Sequence, residues 1–190
     1  TDAVQAAGAL DLNVDALGID LLSIAAHKIY GPKGVGALYV RRGVMLESLL
    51  HGAGHEAGRR AGTENTPYCV ALGRAAVLAY KALDESSERM AVLRDRLLLA
   101  LRQFFQDRLR VHGARAERLP NTLSVCFPNV AGRELLDRIP ELCASTGSAC
   151  HSGAAILSPT LAAFGLQPAQ AHGTIRLSVG WYTSEEDVDR

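Results

Sequence analysis

The chain has 190 residues, 48% of them hydrophobic and 21% charged, with twenty Lys and Arg balancing twenty Asp and Glu. That length suits one ordinary domain or two small ones, and the composition excludes a disordered tail, a collagen-like rod and a disulfide-dense miniprotein. Zero formal net charge argues against a nucleic-acid partner, because such proteins carry a basic surplus. No apolar run approaches the ~20 residues that span a bilayer, so no membrane segment is expected and a cytoplasmic or organelle-matrix location follows. Four cysteines without a CxxC pair predict neither a disulfide framework nor a zinc site. The chain opens at Thr1 and Asp2 without a Met and closes in a polar run ending at Arg190; it reads as a piece of something longer.

Short strands are predicted over 21–25 and 37–40, each a brief apolar run. Between them, Gly31, Pro32, Lys33, Gly34 and Gly36 specify a turn. The stretch 51–62, HGAGHEAGRRAG, is glycine-rich and aperiodic and reads as a surface loop. Thr66 is the expected N-cap of a helix with Pro67 at its first position, running to about Leu83 and broken at 84–87. From 88 to 105, Met90, Leu93, Leu97, Leu101 and Phe104 recur three and four apart, predicting a long amphipathic helix that bridges two lobes. Beyond it the pattern alternates. Strands are predicted over 123–127, 142–145 and 174–179, with helices over 132–139 and 158–164 and one starting at Ser184. That order indicates an α+β lobe.

Three side chains stand out chemically. Lys28 leaves the end of an apolar strand beside a glycine-rich turn, with His27 before it; a lysine amine becomes a nucleophile where burial or a nearby cation lowers its pKa. Cys150 lies in ASTGSACHSG, where side chains are too small to pack a core, so its thiol is expected to be reachable. Cys126 sits among apolar neighbours and reads as core filler, and Cys69 and Cys143 read the same way. Arg176 alternates with Ile175 and Leu177, which directs its guanidinium to the other face of a strand, where a planar fork suits a carboxylate.

In combination these segments resemble a known family. SIAAHKIYGPKG is similar to the cofactor-lysine segment of class V enzymes that use pyridoxal 5'-phosphate. With HGAGHEAGRRAGTEN, RLPNT, STGSACHSG and TIRLSVG, the chain resembles cysteine desulfurases and the related selenocysteine lyases over nearly its whole length. The resemblance implies an α/β fold, the C-terminal half of a fold type I enzyme: residues 1–85 as the end of the large cofactor domain and 86–190 as an α+β small domain. It implies that Lys28 holds the cofactor covalently, Asp2 pairs with its ring nitrogen, Gln5 bonds its phenolic oxygen, His27 bonds its phosphate and Thr63 reaches the phosphate of a neighbouring subunit in a homodimer. Arg176 would hold the substrate carboxylate. Cys150 would take sulfur from L-cysteine as a persulfide, leaving L-alanine, for delivery to an acceptor protein such as an iron–sulfur scaffold.

Two positions depart from the common pattern. Ala25 stands where many members carry a phosphate-binding serine, and Ala53 where a third glycine is frequent. Ala25, GTENTP and ACHS also resemble the selenocysteine lyase branch, so L-selenocysteine is the alternative substrate. A non-catalytic fragment is the alternative from outside enzymes. The family is about twice this length and its other half supplies a phosphate loop and a ring-stacking histidine, so weak cofactor binding and little turnover are expected of these residues alone.

Overall fold

The computed structural model describes residues 1–146 and 158–190. The chain divides into two compact units, Thr1–Ser87 and Glu88–Arg190.

In the first unit, β1 (Leu21–Ala25) pairs antiparallel with β2 (Gly36–Val40), from Leu21 opposite Val40 to Ala25 opposite Gly36. Residues 1–3 run parallel along the other edge of β1. There Ser23 N donates to Thr1 O at 3.1 Å, and Ala3 N donates to Ser23 O at 2.9 Å. The alternation of a strand sorts the side chains of β1. Leu22 is buried and Ile24 packs on a cluster of Ala26, Ile29, Leu72 and Ala75, which leaves Ser23 and Ala25 for the opposite face. Arg41, just after β2, donates to Asp15 and to the carbonyls of Val14 and Ile19 and pairs with Asp20 at 3.0 Å. This clasp ties the turn over 13–20 to the end of β2.

The helix α1 (Thr66–Lys81) supplies Leu72 and Ala75 to that cluster. Its N-cap is Asn65 rather than the expected Thr66. The Asn65 Oδ1 accepts from Tyr68 N at 3.3 Å, so Thr66 is already helical and Pro67 follows it. The expected break over 84–87 also differs. The chain breaks earlier, at Ala82, and α2 (Leu83–Phe105) begins at once. Asp84 and Glu85 open this helix because carboxylates favour the positive end of its dipole. Ser87 Oγ donates to Ala9 O at 2.8 Å, so these polar residues anchor the helix start.

In the second unit, β3 (Arg110–Val111), β4 (Thr122–Cys126) and β5 (Thr174–Ser178) form an antiparallel sheet in the order β3-β4-β5. Leu98 of α2 packs with Leu123 and Val125 of β4, and Leu97, Leu101, Val111 and Leu177 close around them. Fully burying a side chain of this size stabilises by about 1.5–3 kcal/mol. Phe104 departs from expectation and is 81% exposed. The apolar stripe leaves Leu101 by a step of four instead of three, reaching Phe105, whose ring meets Phe127 edge-on at 4.9 Å.

The strand expected over 142–145 does not form; Ser145 makes a single bridge to Arg176. The expected helices are present: α3 (Gly132–Asp137) and α4 (Pro159–Ala163) are shorter than expected, and α6 (Glu185–Asp189) begins at the expected place with Ser184 as its N-cap. The short α5 (Pro168–Ala171) and the two-residue β3 had no sequence signal of their own. Arg89 donates to the carbonyls of Gly180, Trp181 and Thr183, and so fixes the turn after β5. Arg96 holds α6 through Glu185 at 2.5 Å and Asp189 at 2.6 Å.

Cys126 is buried as expected, its thiol donating to Gln170 O. Cys69 and Cys143 are exposed instead of buried. The packed part of α1 begins only at Leu72, and Cys143 lies in the irregular stretch where the strand failed to form.

Candidate functional site

Lys28 owes its position to its neighbours. After β1 the chain makes a 3-10 turn, Ala26–Lys28, in which Ala26 N donates to Val35 O while Ile29 N and Gly31 N both donate to Ala26 O. Ala26 is fully buried and Ile29 is 4% exposed. His27 and Lys28, between these two anchors, are exposed. A flexible lysine is thereby attached to a backbone fixed at both ends.

The turn is tight. Tyr30 takes φ 64°, a left-handed conformation that costs a bulky residue about 1–2 kcal/mol. A Cβ on Gly36 would lie 2.5 Å from Ile24 O, and one on Gly31 would lie 2.9 Å from Ala26 Cβ. Both glycines are required by close approach.

Asp2 joins the site through the parallel pairing with β1. Its Oδ1 accepts from Val4 N at 2.9 Å and from Ser23 Oγ at 3.3 Å. Oδ2 accepts nothing from the described residues. Gln5 lies three residues further on and is exposed, as Asp2 is. One sheet therefore carries Asp2 on its edge and, at the end of the adjoining strand, His27 and Lys28.

Thr63 is exposed at the end of the glycine-rich loop and shares no hydrogen bond with Asp2, Gln5, His27 or Lys28. That loop is closed by Gly62 N donating to His55 Nδ1 at 3.3 Å, and it carries Glu56 and Ala57 at φ 53° and 55°. Arg176 belongs to the second unit. It is half-buried on β5 opposite Ser124, and its guanidinium makes no ion pair among the described residues. Its backbone exchanges two hydrogen bonds with Ser145. Cys150, with most of the segment that contains it, lies outside the described residues. The residue that sequence reasoning missed is Ser23. Its signal was a lone hydroxyl alternating with the apolar Leu22 and Ile24.

The sequence and the fold place the chain in a family. The aminotransferase class-V profile matches residues 1–190, and this chain belongs to that family. A curated relative, the cysteine desulfurase IscS of Dictyoglomus turgidum, is 43% identical over 191 residues, covering 100% of this chain and 48% of the relative. The chain thus spans about half the length of the curated relatives it matches. A solved NifS-like protein superposes with a TM-score of 0.86 at 37% identity, covering 99% of this chain and 48% of that one. A structure described as SspA in complex with cysteine gives 0.73 at 35% identity, covering 97% of this chain and 50% of that one. The fold is that of the fold type I enzymes, and the cofactor of the family is pyridoxal 5'-phosphate.

The residues present fit that cofactor. Asp2 has a carboxylate oxygen that accepts nothing from the described residues and would suit a protonated ring nitrogen, and the exposed primary amine of Lys28 would suit an aldehyde. Among the described residues, no group of three His, Cys, Asp or Glu side chains converges to hold a metal ion.

Proposed function

We propose that this chain carries the lysine and thiol of a cysteine desulfurase, which takes sulfur from L-cysteine and leaves L-alanine. The observation that supports it best is 43% identity along the entire chain to a protein named cysteine desulfurase, together with a lysine pinned between two buried anchors at a strand end. In this reading Thr1–Ser87 is the end of the large cofactor domain and Glu88–Arg190 belongs to the small domain.

Pyridoxal phosphate, when bound, supplies an electron sink that makes a substrate Cα–H acidic. Asp2 keeps a proton on the ring nitrogen by placing a negative oxygen beside it. Gln5 donates to the phenolic oxygen and His27 to the phosphate. The Lys28 amine takes the Cα proton as a general base and can return a proton to the product. Arg176 orients the substrate by pairing its guanidinium with the α-carboxylate. The Cys150 thiolate attacks the substrate sulfur. A sulfur–sulfur bond forms, the Cβ–sulfur bond breaks with its electron pair staying on carbon, and protonation of that carbon completes alanine.

Thr63, on an exposed loop, reaches toward the phosphate of a second subunit in a homodimer. The persulfide on Cys150 is then passed to an acceptor protein, an iron–sulfur scaffold being one of suitable chemistry. In this reading the protein works in the cytoplasm; the described residues contain no helix long and apolar enough to cross a membrane.

The test combines substrate and cofactor chemistry in the full-length protein. Exposure to L-cysteine is expected to give alanine and one added sulfur on Cys150 by mass spectrometry, and borohydride reduction is expected to fix the cofactor on Lys28. Alanine release without a modified Cys150, or label on another lysine, overturns the assignment.

A further inference from the structure

We infer that Ser23 is a positioning residue for Asp2: its hydroxyl fixes the direction in which the carboxylate faces the cofactor ring. The inference rests on the proposed role of Asp2 and goes one residue behind it.

Three observations carry it. First, Asp2 and Ser23 are bridged partners in parallel pairing, so their side chains rise from the same face of the sheet. That register is set by backbone bonds on both sides of Asp2, from Ser23 N to Thr1 O and from Ala3 N to Ser23 O. Secondly, both donors to the carboxylate, Val4 N at 2.9 Å and Ser23 Oγ at 3.3 Å, land on Oδ1. One oxygen is occupied twice, and Oδ2 accepts nothing from the described residues. An exposed carboxylate held by a single backbone bond can still exchange between staggered side-chain rotamers. A second donor from a different strand removes that freedom. Thirdly, Ser23 is a hydroxyl in a strand whose neighbours Leu22 and Ile24 serve the core, and its own hydroxyl donates to Asp2.

The physical consequence is pre-organisation. A carboxylate stabilises a protonated ring nitrogen only when its free oxygen lies on the N–H axis, because hydrogen bonds weaken steeply with angle. The hydroxyl at 3.3 Å is long for an O–H donor, so its effect is on aim more than on strength.

The variants are Ser23→Ala, Ser23→Thr, which keeps the hydroxyl, and Asp2→Asn as a control. In the cofactor-free chain, three-bond couplings read the Asp2 side-chain rotamer. One rotamer is expected with Ser23 and with Ser23→Thr, and averaging with Ser23→Ala. In the holoenzyme loaded with cofactor labelled with nitrogen-15 in the ring, the shift of the ring nitrogen reads its protonation.

Ser23→Ala is expected to move that shift toward the neutral ring and to weaken cofactor affinity about three- to tenfold, the scale of one net hydrogen bond. Ser23→Thr is expected to restore both. If Asp2→Asn leaves the ring-nitrogen shift in place, the assignment of Asp2 falls and this inference with it. If Asp2→Asn moves the shift but Ser23→Ala changes neither the shift nor the rotamer, Asp2 keeps its role and Ser23 has none.

Discussion

Arg176 and Ser145 are joined by two backbone hydrogen bonds, Arg176 N to Ser145 O at 2.7 Å and Ser145 N to Arg176 O at 3.3 Å. The arginine assigned to the substrate carboxylate thus shares a bridge with the residue five positions before Cys150. In the proposed function, the segment bearing the sulfur nucleophile starts from the strand that holds the substrate.

Replacing that arginine separates binding from chemistry. Arg176→Lys keeps the charge but loses the planar fork, and is expected to raise KM for L-cysteine roughly ten- to a hundredfold, the range of one charge-assisted pair. Because the backbone pairing with Ser145 is unaffected, kcat is expected to change much less. Steady-state alanine release checks both values, and an unchanged KM removes Arg176 from the site.

Gly36→Ala tests how the lysine turn is built. The added Cβ would meet Ile24 O at 2.5 Å in the pair that closes β1 on β2. Overpacking of this kind costs about 1–3 kcal/mol. A lowered urea midpoint with an unchanged slope is expected, along with weaker cofactor binding because Lys28 follows directly. Unchanged stability would mean that the two strands can separate at this pair without cost.

Arg89 holds three carbonyls of the turn over 180–183. Arg89→Ala leaves those acceptors to solvent or unpaired, and a loss of about 1–3 kcal/mol is expected. The only tryptophan, Trp181, lies in this turn, so its fluorescence should shift toward the solvated form in the variant. Lysine at this position keeps the charge but loses the two-nitrogen fork, and is expected to recover only part of the loss.

His112 predicts a pH dependence. It is half-buried, with Nε2 3.1 Å from Thr174 Oγ1, and burial lowers its pKa below the ordinary value of 6.5. The unfolded chain therefore binds a proton that the folded chain resists. The stability tied to the neutral ring is fully present above about pH 6.5 and declines as pH falls through the ordinary histidine range toward the lower folded value. His112→Gln is expected to flatten denaturant midpoints across that window. An equal slope in both proteins contradicts the assignment.

Much of the fold was legible because its signals are local. The apolar run of β1 and the alternation in β5 needed no partner to be recognised, and Ser184 capped α6 as its chemistry requires. The errors occurred where a partner decided. The two-residue β3 exists because β4 pairs with it, and Phe104 lost its place to Phe105 because Phe127 lies beneath the latter. Cys69 and Cys143 read as buried on composition, but both are exposed among the described residues. At the site, His27 and Lys28 were visible from the turn that follows them. Ser23 was not, because its partner is Asp2, twenty-one positions away.

The amino-acid order by itself fixed the reactive groups. It placed a lysine before a glycine-rich turn, an arginine on the polar side of a strand and a cysteine among small residues, and those types in that order resemble one family of enzymes. The tertiary structure decided which atoms of those groups are free to act. The pairing of residues 1–3 with β1 adds the Ser23 hydroxyl to the Val4 N–H on one oxygen of Asp2, and the burial of Ala26 and Ile29 against α1 helps hold the Lys28 backbone still. Side-chain identity is a property of the chain, whereas aim and restraint come from contacts between residues far apart in it.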